Sequence, residues 1–279
     1  MSDQRAHGVT PALSRDYARR TAERQAAFAL QYLHSGMRLL DVGCGPGTVT
    51  VGLADQVAPG DVVGIDHDPE HIEMARALGT TAGLTNVRFE IGDALHLPFG
   101  DQTFDAVFEN DVFVHLAADA VSAAREVRRV LAPGGLIAAR DVDAGAVVWG
   151  AQSDGMREFD RWFSAWQRRR GSDIGIGRRL PEILHDAGFV ETVTSVSADT
   201  KGAPDAVREH AHMMVSLLEG PVGEFAVAAG MTDGAGLLRV RDDVRRWGDD
   251  PNAFFGNVHV EVVARKPAVV SRRQTRSGA

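Results

Sequence analysis

From Met37 onward the chain alternates between short apolar runs and longer stretches with helical spacing. MRLLDV (37–42), DVVGID (61–66), NVRFEIGD (86–93), FDAVFEN (104–110) and LIAARDV (136–142) read as strands. Between them the spacing predicts helices from about Thr48, over PEHIEMARAL (69–78), and from about Asp119 to Leu131. Asp68 suits a helix N-cap, with Pro69 at the first helical position. APGG (132–135) is a turn that ends the third of these helices before the fifth strand. Strands alternating with helices of this length require crossover connections, and so an α/β fold: a doubly wound, mostly parallel sheet covered on both faces.

The rhythm differs at both ends and in two places between. Residues 1–12 are polar and aperiodic, and an Ala- and Arg-rich helix is expected from Ser14 to about His34, with Tyr17, Phe28 and Tyr32 to pack. After Asp143 the alternation stops. Residues 144–177 carry Trp149, Trp162 and Trp166 and a glycine-rich GSDIGIG, and residues 203–250 read as wholly helical. RRLPEILHDAG (178–188), FVETVTSVS (189–197) and FFGNVHVEVVARKP (254–267) resume the helix and strand pattern. The expected organisation is an N-terminal arm and helix (1–34), one domain (35–267) with helical insertions at about 144–177 and 203–250, and a disordered tail (268–279).

Composition narrows the class. The 279 residues are 44% hydrophobic and 24% charged, as in a globule with a real core. A formal charge of −8 argues against nucleic acid as a partner. No apolar run approaches the ~20 residues of a membrane span, and MSDQRAHGVT lacks a signal segment. The single cysteine, Cys44, cannot form an internal disulfide, so a reducing cytoplasm is expected. Lys201 and Lys266 are the only lysines among many arginines, a bias associated with GC-rich bacterial genomes.

The chemistry starts at LLDVGCGPG (39–47). A glycine turn between a first strand and a first helix suits a nucleotide-like cofactor at the carboxyl edge of a parallel sheet. The dinucleotide version spaces its glycines G-x-G-x-x-G and holds a pyrophosphate at the helix N-terminus. Here the third glycine comes one place early, and Asp41 would repel a pyrophosphate while attracting an ammonium or sulfonium. Asp66, at the next strand tip, can accept from both ribose hydroxyls. Asp93, at the third, can accept from an adenine amino group.

LLDVGCGPG, GIDHDPEHIEMA, IGDALHLPF, FDAVFEN and LAPGGLI, in this order, resemble the motifs of class I S-adenosylmethionine-dependent methyltransferases. The subgroup they are most similar to is the small-molecule type that includes ubiquinone and menaquinone methyltransferases. The resemblance covers residues 35–141, and 178–196 and 254–267 more loosely. It implies a seven-stranded sheet with the last strand antiparallel, S-adenosylmethionine as cofactor and S-adenosylhomocysteine as product. By it Asp41, Gly43 and Gly45 surround the methionine moiety, with Cys44 as the small residue packing that loop. Asp66 and His67 flank the ribose, Asp93 and Ala94 the adenine, and Asn110 the sulfonium. His115 either packs near the cofactor or serves as general base.

The remaining candidates are weighed by what else explains them. DHDPEH (66–71) offers metal-ligand types, but capping and ribose roles use its acids. Asp141 and Asp143 lack the further oxygens a hard cation needs, so no metal is expected. RRR (168–170) reads as a solvated helix end or an anion site. Trp162 and Trp166, four apart, suit a core face or an aromatic wall equally. Trp149 and His212 are the expected acceptor contacts, in insertions that would roof the site. The expected function is methyl transfer to an O, N or C nucleophile of a small, partly hydrophobic molecule, in specialised metabolism or quinone-type biosynthesis. The alternatives are a cofactor-binding protein that catalyses cyclisation or isomerisation, or a macromolecule methyltransferase. A homodimer is compatible with the sequence.

Overall fold

Four buried residues make β1 (Leu39–Val42), and five make β2 (Val62–Asp66). Continuous burial of this kind marks strands covered on both faces. With β3 (Val87–Ile91), β4 (Phe104–Asn110) and β5 (Leu131–Val142) they pair in parallel in the order β3-β2-β1-β4-β5. The reversal of order at β1/β4 opens the crevice where such sheets bind ligands. β8 (Phe254–Arg265) runs antiparallel between β5 and β7 (Val190–Lys201), as the resemblance implies. The computed structural model describes residues 20–268. The expectations for residues 1–19 and 269–279 lie outside them.

Helices cover both faces. Leu39, Ala106, Phe108 and Ala138 meet α1 (Ala22–Gln25), α2 (Ala27–Leu30) and α3 (Thr48–Val57). Leu40, Val63, Val107, Ile137 and Val262 meet α6 (Ala120–Val130) and α8 (Leu180–Asp186). α4 (Pro69–Thr81) closes over Phe89 with Ile72 and Ala75, and Asp68 caps it by accepting from the Glu70 amide at 2.9 Å. α5 (Phe113–Leu116) is a single turn after β4. Among the described residues no helix is long and apolar enough to cross a membrane.

Three local expectations need correction. The N-terminal helix is broken at Ala26, a fully buried residue at φ −110°, ψ 9°. The break lets Gln25 turn toward the sheet while Phe28 packs on Phe108 at 6.4 Å. The APGG segment belongs to β5, because Gly134 and Gly135 bond with Lys266 just beyond the end of β8. An eighth strand, β6 (Val148–Gly150), continues the line of β5 and pairs with Phe254–Gly256.

The second insertion is helical, as expected: α9 (Pro204–Leu218), α10 (Pro221–Ala228) and α11 (Gly234–Gly248). They join α7 (Asp154–Arg169) from the first insertion around Met156, Trp162, Met214, Val240 and Trp247. This block has its own apolar core. It grows from the carboxyl ends of β5 and β7, so it stands at the same edge of the sheet as the glycine loop.

Candidate functional site

The tips of β1 and β2 bring two carboxylates together under the glycine loop. Asp41 is 3% exposed and accepts from Thr50 Oγ1 of α3 at 2.6 Å. Burial, with the negative Asp66 nearby, raises its pKa to about 7 despite the Thr50 bond. Gly43, Gly45 and Gly47 all have positive φ, which explains three glycines in five positions. A side chain on Gly43 would collide with Val112, and one on Gly47 would come within 2.9 Å of Ala75. One on Gly45 would meet nothing within 4 Å. The loop is therefore tight where it packs on protein and open at Gly45. Cys44 is buried, its amide bonded to Ile65 O, and burial drives its thiol pKa far up, so it packs rather than reacts.

Asp66 is the most heavily bonded acid of the cleft. Its Oδ2 accepts from the Gly45 amide and its Oδ1 from the Asp68 amide, both at 2.9 Å. His67 Nδ1 and His71 Nδ1 stand 3.3 and 3.5 Å from Oδ1. Burial opposes its ionisation, but these donors outweigh it and hold the carboxyl well below its usual range. The same contact raises both imidazoles. Asp93 stands just past β3 in a bridge with His96, accepting from the Leu95 amide at 2.9 Å, with its side chain more than half exposed. Ala94 beside it packs partly on the core. These acids line one edge in the order the sequence suggested.

A second pair of acids shapes the loop after β4. Glu109 and Asp141 are both fully buried. Glu109 accepts from the amides of Arg140 (3.1 Å) and Val112 (3.3 Å), and Asp141 from those of Val114 (3.0 Å) and Phe113 (3.2 Å). Burial raises both well above the usual range, and each is pushed further by a nearby acid, Asp141 for Glu109 and Asp111 for Asp141. Together they fasten α5, which carries His115. His115 is solvent-accessible but crowded, and desolvation lowers its pKa; Asp111, His67, Arg170 and Asp66 all act on it electrostatically. It therefore faces the cleft in its neutral form near pH 7.

Asn110 ends β4 with Oδ1 accepting from Arg140 Nη1 at 2.9 Å. Arg140, 1% exposed, also donates to Gln25 Oε1 at 2.6 Å and Asp199 Oδ2 at 3.1 Å. Asp111, at φ +58°, pairs with Arg20 at 3.0 Å and with His259 at 3.3 Å. Burial opposes its charge, but Arg20 and His259 hold it well below the usual range. Sequence reading missed this buried network. The charged pair Arg140 and Asp141 following the apolar run 136–139 in β5 was the available signal.

The expected acceptor contacts, Trp149 and His212, sit in unlike surroundings. Trp149 packs among Phe255 (4.6 Å), Trp247 (5.3 Å) and His210 (6.2 Å). His212 is exposed on α9, because two residues turn a helix by ~200° and His210 takes the inward side. Arg170 acts on His115 and is stacked 4.6 Å over Trp166, while the Asp173 amide bonds Val114 O at 2.9 Å. Trp162 is fully buried and serves the core.

Asp141 is committed to two amides. Asp143 is committed to the Gly145 amide and to two Arg178 nitrogens at 2.7 Å each. Among the described residues no group of three metal-ligand side chains converges. An S-adenosylmethionine molecule fits the residues present: a buried carboxylate for its ammonium, an ionised one for its ribose, and open room at Gly45 between them.

Comparison with known proteins agrees with this geometry. Residues 33–188, more than half of the chain, match the family model described as a methyltransferase domain. An uncharacterised methyltransferase of Schizosaccharomyces pombe is 39% identical over 144 residues, 50% of this chain and 51% of that protein. A demethylmenaquinone methyltransferase of Deinococcus radiodurans is 39% identical over 112 residues, 40% of this chain and 46% of that one. The chain thus spans about half the length of the curated relatives it matches. The crystal structure of the [4+2]-cyclase SpnF superposes with a TM-score of 0.53 at 25% identity, covering 92% of this chain and 81% of that one. With the strand order, the left-handed glycine loop and the acids at successive strand tips, these matches place the chain in the family of class I S-adenosylmethionine-dependent methyltransferases.

Proposed function

We propose that this chain transfers a methyl group from S-adenosylmethionine to an O, N or C nucleophile of a small, partly hydrophobic molecule, leaving S-adenosylhomocysteine. The observation that carries the reading is the pairing of two differently tuned carboxylates at neighbouring strand tips. Burial raises the pKa of Asp41 to about 7, and an arriving ammonium favours its charged form. Asp66 is ionised throughout and accepts from the ribose hydroxyls. Asp93 and Ala94 border the adenine, Asn110 the sulfonium, and His67 the ribose.

The bound sulfonium supplies an already activated methyl group. The chain's own contribution is then alignment and exclusion of water. Glu109 and Asp141 fix the loop that presents His115, whose neutral imidazole takes a proton from acceptors that must lose one. Arg170, which acts on His115, and Trp166 beneath it are insertion residues placed toward the reacting groups. The helical block and the arm bearing Arg20 and Gln25 enclose the acceptor.

Titration calorimetry with S-adenosylhomocysteine and with NAD tests the cofactor: binding of the first and none of the second is expected, and the reverse refutes the proposal. Mass spectrometry of products formed with isotopically labelled cofactor tests the reaction, a labelled methyl on the product being expected. A second reading, cyclisation without methyl transfer, is favoured by the likeness to the [4+2]-cyclase; a rearranged product of unchanged mass distinguishes it.

A further inference from the structure

Three nitrogens approach one oxygen of Asp66. The Asp68 amide stands at 2.9 Å from Oδ1, His67 Nδ1 at 3.3 Å and His71 Nδ1 at 3.5 Å. A carboxylate oxygen offers about two acceptor positions. With Asp68 taking one, the two imidazoles compete for the other, and neither reaches the length of a strong charge-assisted bond. Oδ2 accepts from Gly45, on the side where the glycine loop leaves open room.

The two histidines are held differently. His67 lies in the turn after β2 and its side chain is 59% exposed. His71 lies in the first turn of α4, with its side chain 12% exposed. That turn is fixed by the Asp68 cap and by Pro69. Of the two, His67 is the one that can move into solvent. The other stays.

We infer that His71 is a positioning residue for cofactor binding: it closes onto Oδ1 of Asp66 as His67 swings away, and so keeps Oδ2 turned toward the ribose hydroxyls. This rests on the reading of the cleft as the S-adenosylmethionine site. It assigns the second histidine of DHDPEH to the back of the carboxylate, where it never touches the ligand. His67 becomes the exchangeable group, free to contact the cofactor once displaced.

The test compares S-adenosylhomocysteine with its 2′,3′-dideoxy analogue, by calorimetry on the full chain and its His71→Ala, His71→Gln and His67→Ala variants. His71→Ala should weaken the natural ligand by about tenfold and the dideoxy analogue by less than about twofold, since only the former uses the oriented carboxylate. His71→Gln, which keeps a donor, should recover most of that loss, and His67→Ala should weaken the natural ligand less than His71→Ala does. Equal weakening of both ligands by His71→Ala would assign a general structural role and overturn the inference. So would a ribose-specific loss larger for His67→Ala than for His71→Ala. If wild type binds S-adenosylhomocysteine and prefers it to the analogue while His71→Ala behaves like wild type, this inference alone fails. If wild type binds neither ligand, the cofactor reading fails and takes the inference with it. Circular dichroism of each variant identifies a misfolded one, for which His71→Gln gives the deciding comparison.

Discussion

The two parts of the carboxyl edge are built from different materials. Over β1–β4 the site is made of backbone amides, carboxylates and left-handed glycines, each within a few residues of a strand tip. The helical block is made of rings: Trp149 on Phe255, Trp247 at right angles to Trp149, and Phe159 on Phe163. The first part recognises by hydrogen-bond pattern and tolerates little change of shape. The second is held by area and volume, and can be refilled. A constant cofactor and a variable acceptor call for that division.

The largest expected effect tests whether the parts are separable. Trp162→Ala removes a fully buried side chain from the block's core and should cost about 3–5 kcal/mol. Hydrogen exchange should rise across α7 and α9–α11 while S-adenosylhomocysteine affinity stays within a few fold. Loss of affinity in a variant whose sheet remains protected would show that the two parts fold as one.

Asp41 sharpens the contrast through pH. Its folded pKa, about 7, lies above its unfolded value near 3.8, so folding binds a proton between those values. The stability it contributes is present below about pH 4 and is lost as pH rises through about 7. At 1.36 kcal/mol per unit this amounts to about 4 kcal/mol at most. Asp41→Asn should therefore raise Tm relative to wild type above pH 7, with little difference near pH 4. It should also weaken cofactor binding and flatten the wild-type rise in affinity between pH 6 and 8. A Tm difference independent of pH would contradict the tuning of this carboxylate.

Asp66→Ala comes next, with a loss of roughly 1.5–3 kcal/mol of S-adenosylhomocysteine binding, the scale of charge-assisted hydrogen bonds. Unchanged affinity would remove Asp66 from the site. The smallest effect belongs to His212→Ala, on the exposed face of α9: stability within about 0.5 kcal/mol and unaltered turnover. Slowed turnover would make His212 an acceptor contact.

The same division decides what the sequence discloses. Asp41, the three glycines, Asp66 and Asp93 act within a few positions of where they stand, so a linear reading finds them and their order. Asp68 capping α4 was legible for the same reason. The surroundings of Trp149 were not, because its ring partners His210, Trp247 and Phe255 come from 61 to 106 positions away. Helix phase alone separated His210 from His212, and a sequence gives that phase only once the buried stripe Val207, Ala211, Met214 and Leu218 is known. Arg140, bonded across 115 positions to Gln25, lay beyond any local pattern. Arg170 was seen as part of a charged helix end, but its approach to His115 depends on the turn after α7 docking on Val114.

One register has an architectural consequence. Lys201 and Phe255 are direct partners across β7 and β8, as are Thr200 and Gly256. The chain therefore leaves the sheet and returns to it at adjoining points, only ~5 Å apart between Cα atoms. Everything between them is an excursion, spliced into what would otherwise be a hairpin. Closing such a gap with a short turn costs the sheet little loop entropy, and lengthening it costs little more. The methyltransferase-domain match itself ends at residue 188, before this junction. An Asn-Gly turn joining residues 201 and 255 would delete the excursion and leave β7 and β8 paired. It would also expose the apolar rings that now pack against it, so the shortened chain would keep its sheet pairing at the expense of solubility. The junction is a socket: different helical caps can be plugged into it while the cofactor end stays as it is.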